Sequence, residues 1–269
     1  MRKIIPQVCR VVSNRKLNSS GAYFKIAVEG FKLSKRILPG QFVHVKVDPG
    51  NDPYFRRAFS VADFDKATGR LDIIYKIVGK GTSILGNMRK GDSLDLIGPL
   101  GNHFNKPGKN KNLVMVAGGV GLPPLLFYCR YLLNSGYPSK NIMFLYGGRT
   151  NNELVELASL RRLGVEFIPC TDDGSYGFHG LITEALKAKL PELDTNKTML
   201  FGCGPEPMLE ALQNLAIQHG YKGQLSLEAP MPCGIGVCLG CIKERLDRPK
   251  KYVRVCYDGP VFNIGEVKI

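Results

Sequence analysis

The first hundred residues are made of short alternating or apolar runs, among them residues 22–28, 41–47 and 71–78, punctuated by glycine and proline. Short strands at this spacing predict an antiparallel barrel or a sandwich of about a hundred residues. Residues 102–112 turn polar and basic with no apolar period, which predicts a domain linker. Beyond it the rhythm changes. Buried-strand runs at 113–117, 141–146 and 165–168 alternate with helix-like stretches at 123–133, 152–163 and 205–219. Such alternation predicts an α/β domain with a parallel sheet. The stretch past Gly220 is rich in cysteine and too short to build a large core, so a metal is expected to staple it. The expected division is a barrel over residues 1–102, an α/β domain over 103–222 and a small cysteine module over 223–269, an α+β multidomain chain without repeats or low-complexity tracts.

Composition narrows the class. The chain has 269 residues, 44% hydrophobic and 22% charged, which is ordinary globular material. The first ten residues lack the apolar stretch of a signal peptide, and no window approaches the ~18 apolar residues of a membrane span. A soluble, cytoplasmic protein with no membrane partner is expected. A net charge of +14 is compatible with nucleic acid, but the positive residues are spread along the chain without interleaved aromatics. Bound phosphates, a dianionic cluster or an acidic protein partner would use the same charge, and no nucleic acid is expected.

Cysteine usage carries the most specific signal. Of eight cysteines, Cys9, Cys129, Cys170 and Cys203 are scattered and read as core thiols, whereas Cys233, Cys238, Cys241 and Cys256 fall close together. Their spacing is Cys-x4-Cys-x2-Cys, then fourteen residues to the last, with Gly234, Gly236 and Gly240 between ligands. This is the plant-type [2Fe-2S] pattern. Glycines there let backbone amides turn inward toward inorganic sulfide. The other readings are structural zinc, which more often uses paired Cys-x2-Cys or histidine, and unliganded thiols. No histidine follows His219, and the last interval is shorter than a full ferredoxin domain needs.

Two glycine turns follow predicted strands. Gly118, Gly119 and Gly121 separate a buried run from a helix opened by Pro123 and Pro124, a geometry that offers free amides to a pyrophosphate. Cys203, Gly204 and Pro205 repeat the arrangement and are expected beside the first loop, facing a nicotinamide. Either loop also reads as a plain packing turn. In the barrel, residues 54–61 set Arg56, Arg57 and Ser60 among aromatics, where arginine can pair with phosphate and flat side chains can cover a flavin or adenine ring. An amphipathic strand with a solvated face would look the same. At residues 79–83, Thr82 or Ser83 can cap a helix whose amides face a second phosphate oxygen.

These motifs, with Arg-x-x-Ser at 57–60 and Asp-Gly-Pro-Val-Phe at 258–262, occur in the order seen in the electron transfer subunits of dihydroorotate dehydrogenase B, within the ferredoxin-NADP reductase superfamily, which the chain resembles over essentially its whole length. The resemblance implies an FAD-binding antiparallel six-stranded barrel, an NAD(H)-binding α/β domain and a [2Fe-2S] module that docks on a catalytic subunit carrying FMN, in a heterotetramer of two of each. It implies FAD contacts from Arg57, Ala58, Phe59, Ser60, Ile74, Tyr75, Lys76, Gly81 and Thr82, and iron ligation by the four clustered cysteines. Where the family commonly has Pro-Ile after the arginines, this chain has Ala58 and Phe59, which adds bulk beside the expected flavin. Cys233 favours this branch over the small subunits of NADH-dependent ferredoxin:NADP oxidoreductases, which tend to place aspartate there.

A nicotinamide gives up two electrons as hydride and a cluster accepts one at a time, so a flavin between them is expected to convert one into the other. No residue of this chain is expected to act on dihydroorotate, which would belong to the partner in pyrimidine biosynthesis. The basic insert at residues 243–254 reads as a solvated hairpin, with an acidic partner face as its second use. The rival readings are a free-standing oxygenase or ferredoxin reductase, the small subunit of a ferredoxin-linked NAD(P)H oxidoreductase or sulfide dehydrogenase, and a zinc-stapled, non-enzymatic binding module.

Overall fold

A computed structural model describes residues 6–31, 37–48, 50, 52–248 and 250–269; residues 1–5 of the N-terminal segment and Pro249 of the basic insert lie outside the described residues. Six strands, β1 (Gln7–Lys16), β2 (Tyr23–Glu29), β3 (Phe42–Lys46), β4 (Arg57–Asp65), β5 (Arg70–Lys76) and β6 (Ser93–Leu100), close into a barrel in the order β1-β2-β5-β4-β3-β6. All neighbouring pairs are antiparallel. Helix α1 (Lys80–Asn87) spans the gap between β5 and β6. The two-residue strand period decides what fills the barrel. Val43 and Val45 join Val11, Ile26, Ile73 and Leu96 inside, whereas Phe42, on the other face of β3, packs against the C-terminal part of the chain.

The second unit contains β7 (Asn112–Gly118), α2 (Leu122–Asn134), β8 (Ile142–Gly148), α3 (Leu157–Arg161), β9 (Glu166–Thr171), β10 (Phe178–His179), α4 (Ile182–Lys189), β11 (Thr198–Cys203), α5 (Glu206–His219) and β12 (Lys222–Ser226). The tail adds a hairpin of β13 (Ile242–Glu244) and β14 (Tyr252–Arg254), then β15 (Val261–Asn263). The large sheet runs β10-β9-β8-β7-β11-β12-β15, parallel except for β15. Near-continuous apolar strands such as residues 113–117 are buried on both faces, as a helix-covered parallel sheet requires.

Three features depart from the sequence expectation. The helix anticipated over residues 152–163 is mostly absent. A single 3-10 turn at Asn151–Glu153 gives way to buried Leu154 and Val155, Glu156 is left-handed (φ 58°), and only α3 follows. Burial of adjacent apolar residues outweighs helical propensity there. Secondly, β12 crosses the anticipated boundary at residues 222 and 223, and β15 from the tail adds to the same sheet, with Gln224, Leu225 and Ser226 opposite Asn263, Phe262 and Val261. The tail is therefore sewn into the α/β unit. Thirdly, residues 102–111 of the expected linker form no regular element before β7 begins at Asn112, yet they are docked. Asn102 Nδ2 donates to the Val261 carbonyl (2.8 Å), its Oδ1 accepts from the Val261 amide (2.9 Å), and Phe104 stacks on Tyr128 at 4.9 Å. Among the described residues no helix is long and apolar enough to cross a membrane.

Candidate functional site

Strands β7 and β11 are parallel neighbours, Met199 to Cys203 pairing with Leu113 to Ala117, although eighty residues of chain separate them. The chain winds outward from β7 through β8 to β10 and returns to the other side with β11. Their C-terminal ends therefore open on the crevice where such sheets bind ligands. Gly118, Gly119 and Gly121 leave β7, and Cys203, Gly204 and Pro205 leave β11, as expected from the glycine pattern. The two loops touch. A Cβ on Gly121 would lie 2.1 Å from the Cys203 carbonyl oxygen, so the glycine is required by the contact between the turns. Prolines at the first positions of α2 and α5 start both helices. Cys203 is fully buried and burial pushes its thiol pKa strongly upward, so its thiol is kept protonated.

The barrel faces this crevice with two adjoining cavities. One, of about 240 Å3, is lined by Ala58, Phe59, Ser60, Ile74, Tyr75, Lys76 and Thr82 from the barrel and by Val120, Pro123 and Cys203 from the α/β unit. The other, of about 340 Å3, shares Ala58, Phe59 and Thr82 and adds Arg56, Arg57, Lys80 and Gly81. Together they fall in the range of cofactor pockets, roughly 300–1,000 Å3. All nine residues expected at the flavin thus line one continuous space. The two arginines differ in use. Arg56 is tied to the barrel, Nη2 to Asp95 Oδ2 at 2.7 Å and Nη1 to the Asp95 carbonyl at 3.2 Å. Arg57 lies in the cavity wall against Gly81, where an added Cβ would come within 3.1 Å of its Nε, and Nη1 bonds the Phe55 carbonyl. Thr82 closes the start of α1 from its third position, Oγ1 accepting from the amides of Val78 (2.9 Å) and Gly79 (3.2 Å). Phe59 folds its extra bulk onto Tyr75, ring centroids 5.8 Å apart, and Tyr75 in turn bonds Asn14 at 3.0 Å.

An apolar slot with one cationic wall beside a helix start suits a flavin bearing a pyrophosphate. Sequence reasoning missed the third wall of the first cavity, Leu227, Glu228, Ala229 and Met231, which the chain forms as it leaves β12 toward the first clustered cysteine. The one available signal was adjacency to that cysteine. Glu228, in this wall, has its carboxyl pKa raised by desolvation.

The four clustered cysteines meet at the end of this wall as two pairs. Cys241 and Cys256 are buried with sulfurs 3.2 Å apart; Cys233 is half-buried and bonds Cys238, which is exposed. Among the described residues no three ligating side chains already converge as a closed metal cage. The backbone nevertheless fits bound thiolates. The amides of Gly236, Cys238, Gly240 and Cys256 donate to the sulfurs of Cys256, Cys233, Cys238 and Cys241 at 3.1 to 3.4 Å. Burial raises the Cys233 pKa, but the amides of Cys238, Ile235 and Val237 together bring it down to about 6. Cys256 is pushed up to about 12 by burial and then by Cys241, and its proton would leave on binding iron. Burial also raises the scattered Cys9 to about 11, and Cys129 and Cys170 to about 12, as expected of inert core thiols.

The chain matches three known families in turn. These are the oxidoreductase FAD-binding domain over residues 8–104, the oxidoreductase NAD-binding domain over 115–214 and the iron-sulfur cluster binding domain of dihydroorotate dehydrogenase B over 228–268. The dihydroorotate dehydrogenase B (NAD(+)) electron transfer subunit of Caldanaerobacter subterraneus is 37% identical over 96% of each chain. That of Bacillus velezensis is 36% identical over 91% of this chain and 93% of its own. The solved structure of an NADH-dependent reduced ferredoxin-NADP oxidoreductase superposes with a TM-score of 0.84 at 27% identity, over 97% of this chain and 90% of that one. With FAD-binding, NAD-binding and iron-sulfur domains arranged around one crevice, the chain belongs to the oxidoreductase family of dihydroorotate dehydrogenase B electron transfer subunits.

Proposed function

We propose that this subunit carries electrons between NAD(H), FAD and a [2Fe-2S] cluster, to or from the FMN of a dihydroorotate dehydrogenase catalytic subunit in pyrimidine biosynthesis. FAD, when bound, converts the two electrons of a hydride into the single electrons a cluster handles. Arg57 and the start of α1 at Gly81 and Thr82 hold its phosphates, and Ala58 to Ser60 with Ile74 to Lys76 wall its ring. Gly118 to Gly121 and Cys203 to Pro205 receive the nicotinamide nucleotide. Cys233, Cys238, Cys241 and Cys256 ligate the cluster. The observation that carries the proposal is the set of four backbone amides aimed at four cysteine sulfurs, in a loop continuous with a wall of the barrel cavity.

The chain's own surface supports an exit toward a partner. Val237 and Leu239 flank the exposed Cys238 and are 74% and 56% exposed, with Tyr257 close by in the same module. Apolar side chains around a redox centre suit a docking face. The β13–β14 hairpin behind it carries exposed Lys250 and Lys251.

Anaerobic co-expression with the candidate catalytic subunit, cofactor analysis and an assay of NAD-linked orotate formation test the proposal. FAD, iron and sulfide in the complex together with NAD-dependent turnover are expected. Failure of that assay with all cofactors present would instead favour the ferredoxin-linked alternative. A colourless protein containing zinc would sink both.

A further inference from the structure

His44 sits in β3 opposite Ala58 of β4 and Ile97 of β6, 1% exposed. Among the described residues neither ring nitrogen makes a well-formed hydrogen bond. The ring lies against the cysteine loop. A Cβ on Gly234 would come within 2.6 Å of His44 Nδ1 and 2.9 Å of Cε1, and Gly234 has a positive φ of 69°. The loop therefore approaches the barrel by its bare backbone here, immediately after Cys233. The main chain of Met231, Arg56 and Cys233 also faces the ring. Arg56, anchored on Asp95, fixes the strand through the His44 carbonyl at 3.4 Å.

Buried polar atoms without partners are destabilising, and a phenyl ring would carry none. A neutral imidazole offers one donor and one acceptor on opposite edges. The same strand pair brings His44 next to Ala58, which lines both cavities. We propose that His44 is a positioning residue for the iron-sulfur cluster: its imidazole hydrogen-bonds the main chain between Met231 and Gly234 in the loaded protein and holds the Cys233 arm against the strand at the flavin wall. This rests on the assignment of the four cysteines to the cluster.

The holoprotein, its His44→Phe and His44→Asn variants and a sample labelled with 15N-histidine test the role. In His44→Phe the amides of residues 231–238 are expected to exchange hydrogen about two- to tenfold faster, the worth of one net hydrogen bond. The reduced cluster should show shifted EPR g-values. Flavin bleaching by NADH should keep its rate while cluster reduction slows. His44→Asn, which keeps a donor and an acceptor, should recover most of each. A His44→Phe holoprotein with unchanged exchange, EPR signal and cluster reduction overturns the inference. In labelled wild type, independent of whether the variants fold, a slowly exchanging ring N–H on His44 supports it and a freely exchanging one overturns it. Wild type lacking any [2Fe-2S] signal would overturn the cysteine assignment, and this role with it.

Discussion

Lys76 Nζ, at the end of a barrel strand, lies 2.9 Å from Oε1 of Glu153 in the turn that follows β8, and Arg149 Nη2 reaches the same oxygen at 2.7 Å. A residue expected at the flavin thus spends its ammonium on joining the barrel to the α/β unit. Asn18, bonding the Asn152 carbonyl at 2.9 Å, and Arg15, 3.0 Å from Glu156, extend the seam.

Glu153→Gln is expected to cost about 1–2 kcal/mol at neutral pH, since the pair is partly buried but still screened. Arg149 first, and then Lys76, hold the Glu153 carboxyl at about 2 against its burial, below the ordinary 4.5. A depressed carboxylate stabilises above its unfolded value and loses that contribution as pH falls through the folded one. In denaturant titrations the gap between wild type and Glu153→Gln should therefore be full above pH 4.5 and narrow toward pH 2.

Gly121→Ala drives a methyl into the Cys203 carbonyl, which is backbone and cannot swing away. A loss of about 1–3 kcal/mol is expected from such overpacking. Scanning calorimetry should show a fall of several degrees, and bleaching of the flavin by NADH should weaken in the same variant if, as proposed, the two turns that move receive the nucleotide.

Arg57→Ala removes one of the cations that line the cavity, beside Lys80, while leaving the structural Arg56–Asp95 pair intact. Loss of a charge-assisted phosphate contact is worth about 1.5–3 kcal/mol, roughly ten- to a hundredfold in FAD affinity. Fluorescence titration of apoprotein with FAD checks it, and Arg57→Lys should recover part of the affinity. Unchanged binding would remove Arg57 from the flavin site.

Replacing Cys233, Cys238, Cys241 or Cys256 by serine should abolish or alter the [2Fe-2S] EPR spectrum, whereas Cys9→Ser and Cys129→Ser should leave its line shape intact. Iron analysis after anaerobic purification gives the count. Loss of the signal in the scattered-cysteine variants would break the assignment.

Asn102→Ala strips both backbone partners from Val261 at the start of β15. A cost of about 2–3 kcal/mol follows from leaving a buried amide and carbonyl unpaired. Limited proteolysis should then release the C-terminal segment sooner than in wild type.

What the sequence determined by itself was local or strictly spaced. The two-residue rhythm of residues 71–78 marked a strand, glycine and proline at 118–124 and 202–207 marked both strand-to-helix turns, and the intervals among Cys233, Cys238, Cys241 and Cys256 marked a cluster loop. Such signals are written within a few residues, because turn geometry and ligand reach depend on the nearest neighbours. Tertiary structure alone decided the rest. Gln224 meets Asn263, and Asn102 meets Val261, across stretches that carry no shared period. The division of labour between Arg56 and Arg57 depends on where Asp95 falls on another strand. Long apolar packing likewise turned residues 154 and 155 from helix to buried extended chain. His44 looked like any strand residue until the barrel closed and the cysteine loop, folded back nearly two hundred residues later, came to rest on its ring.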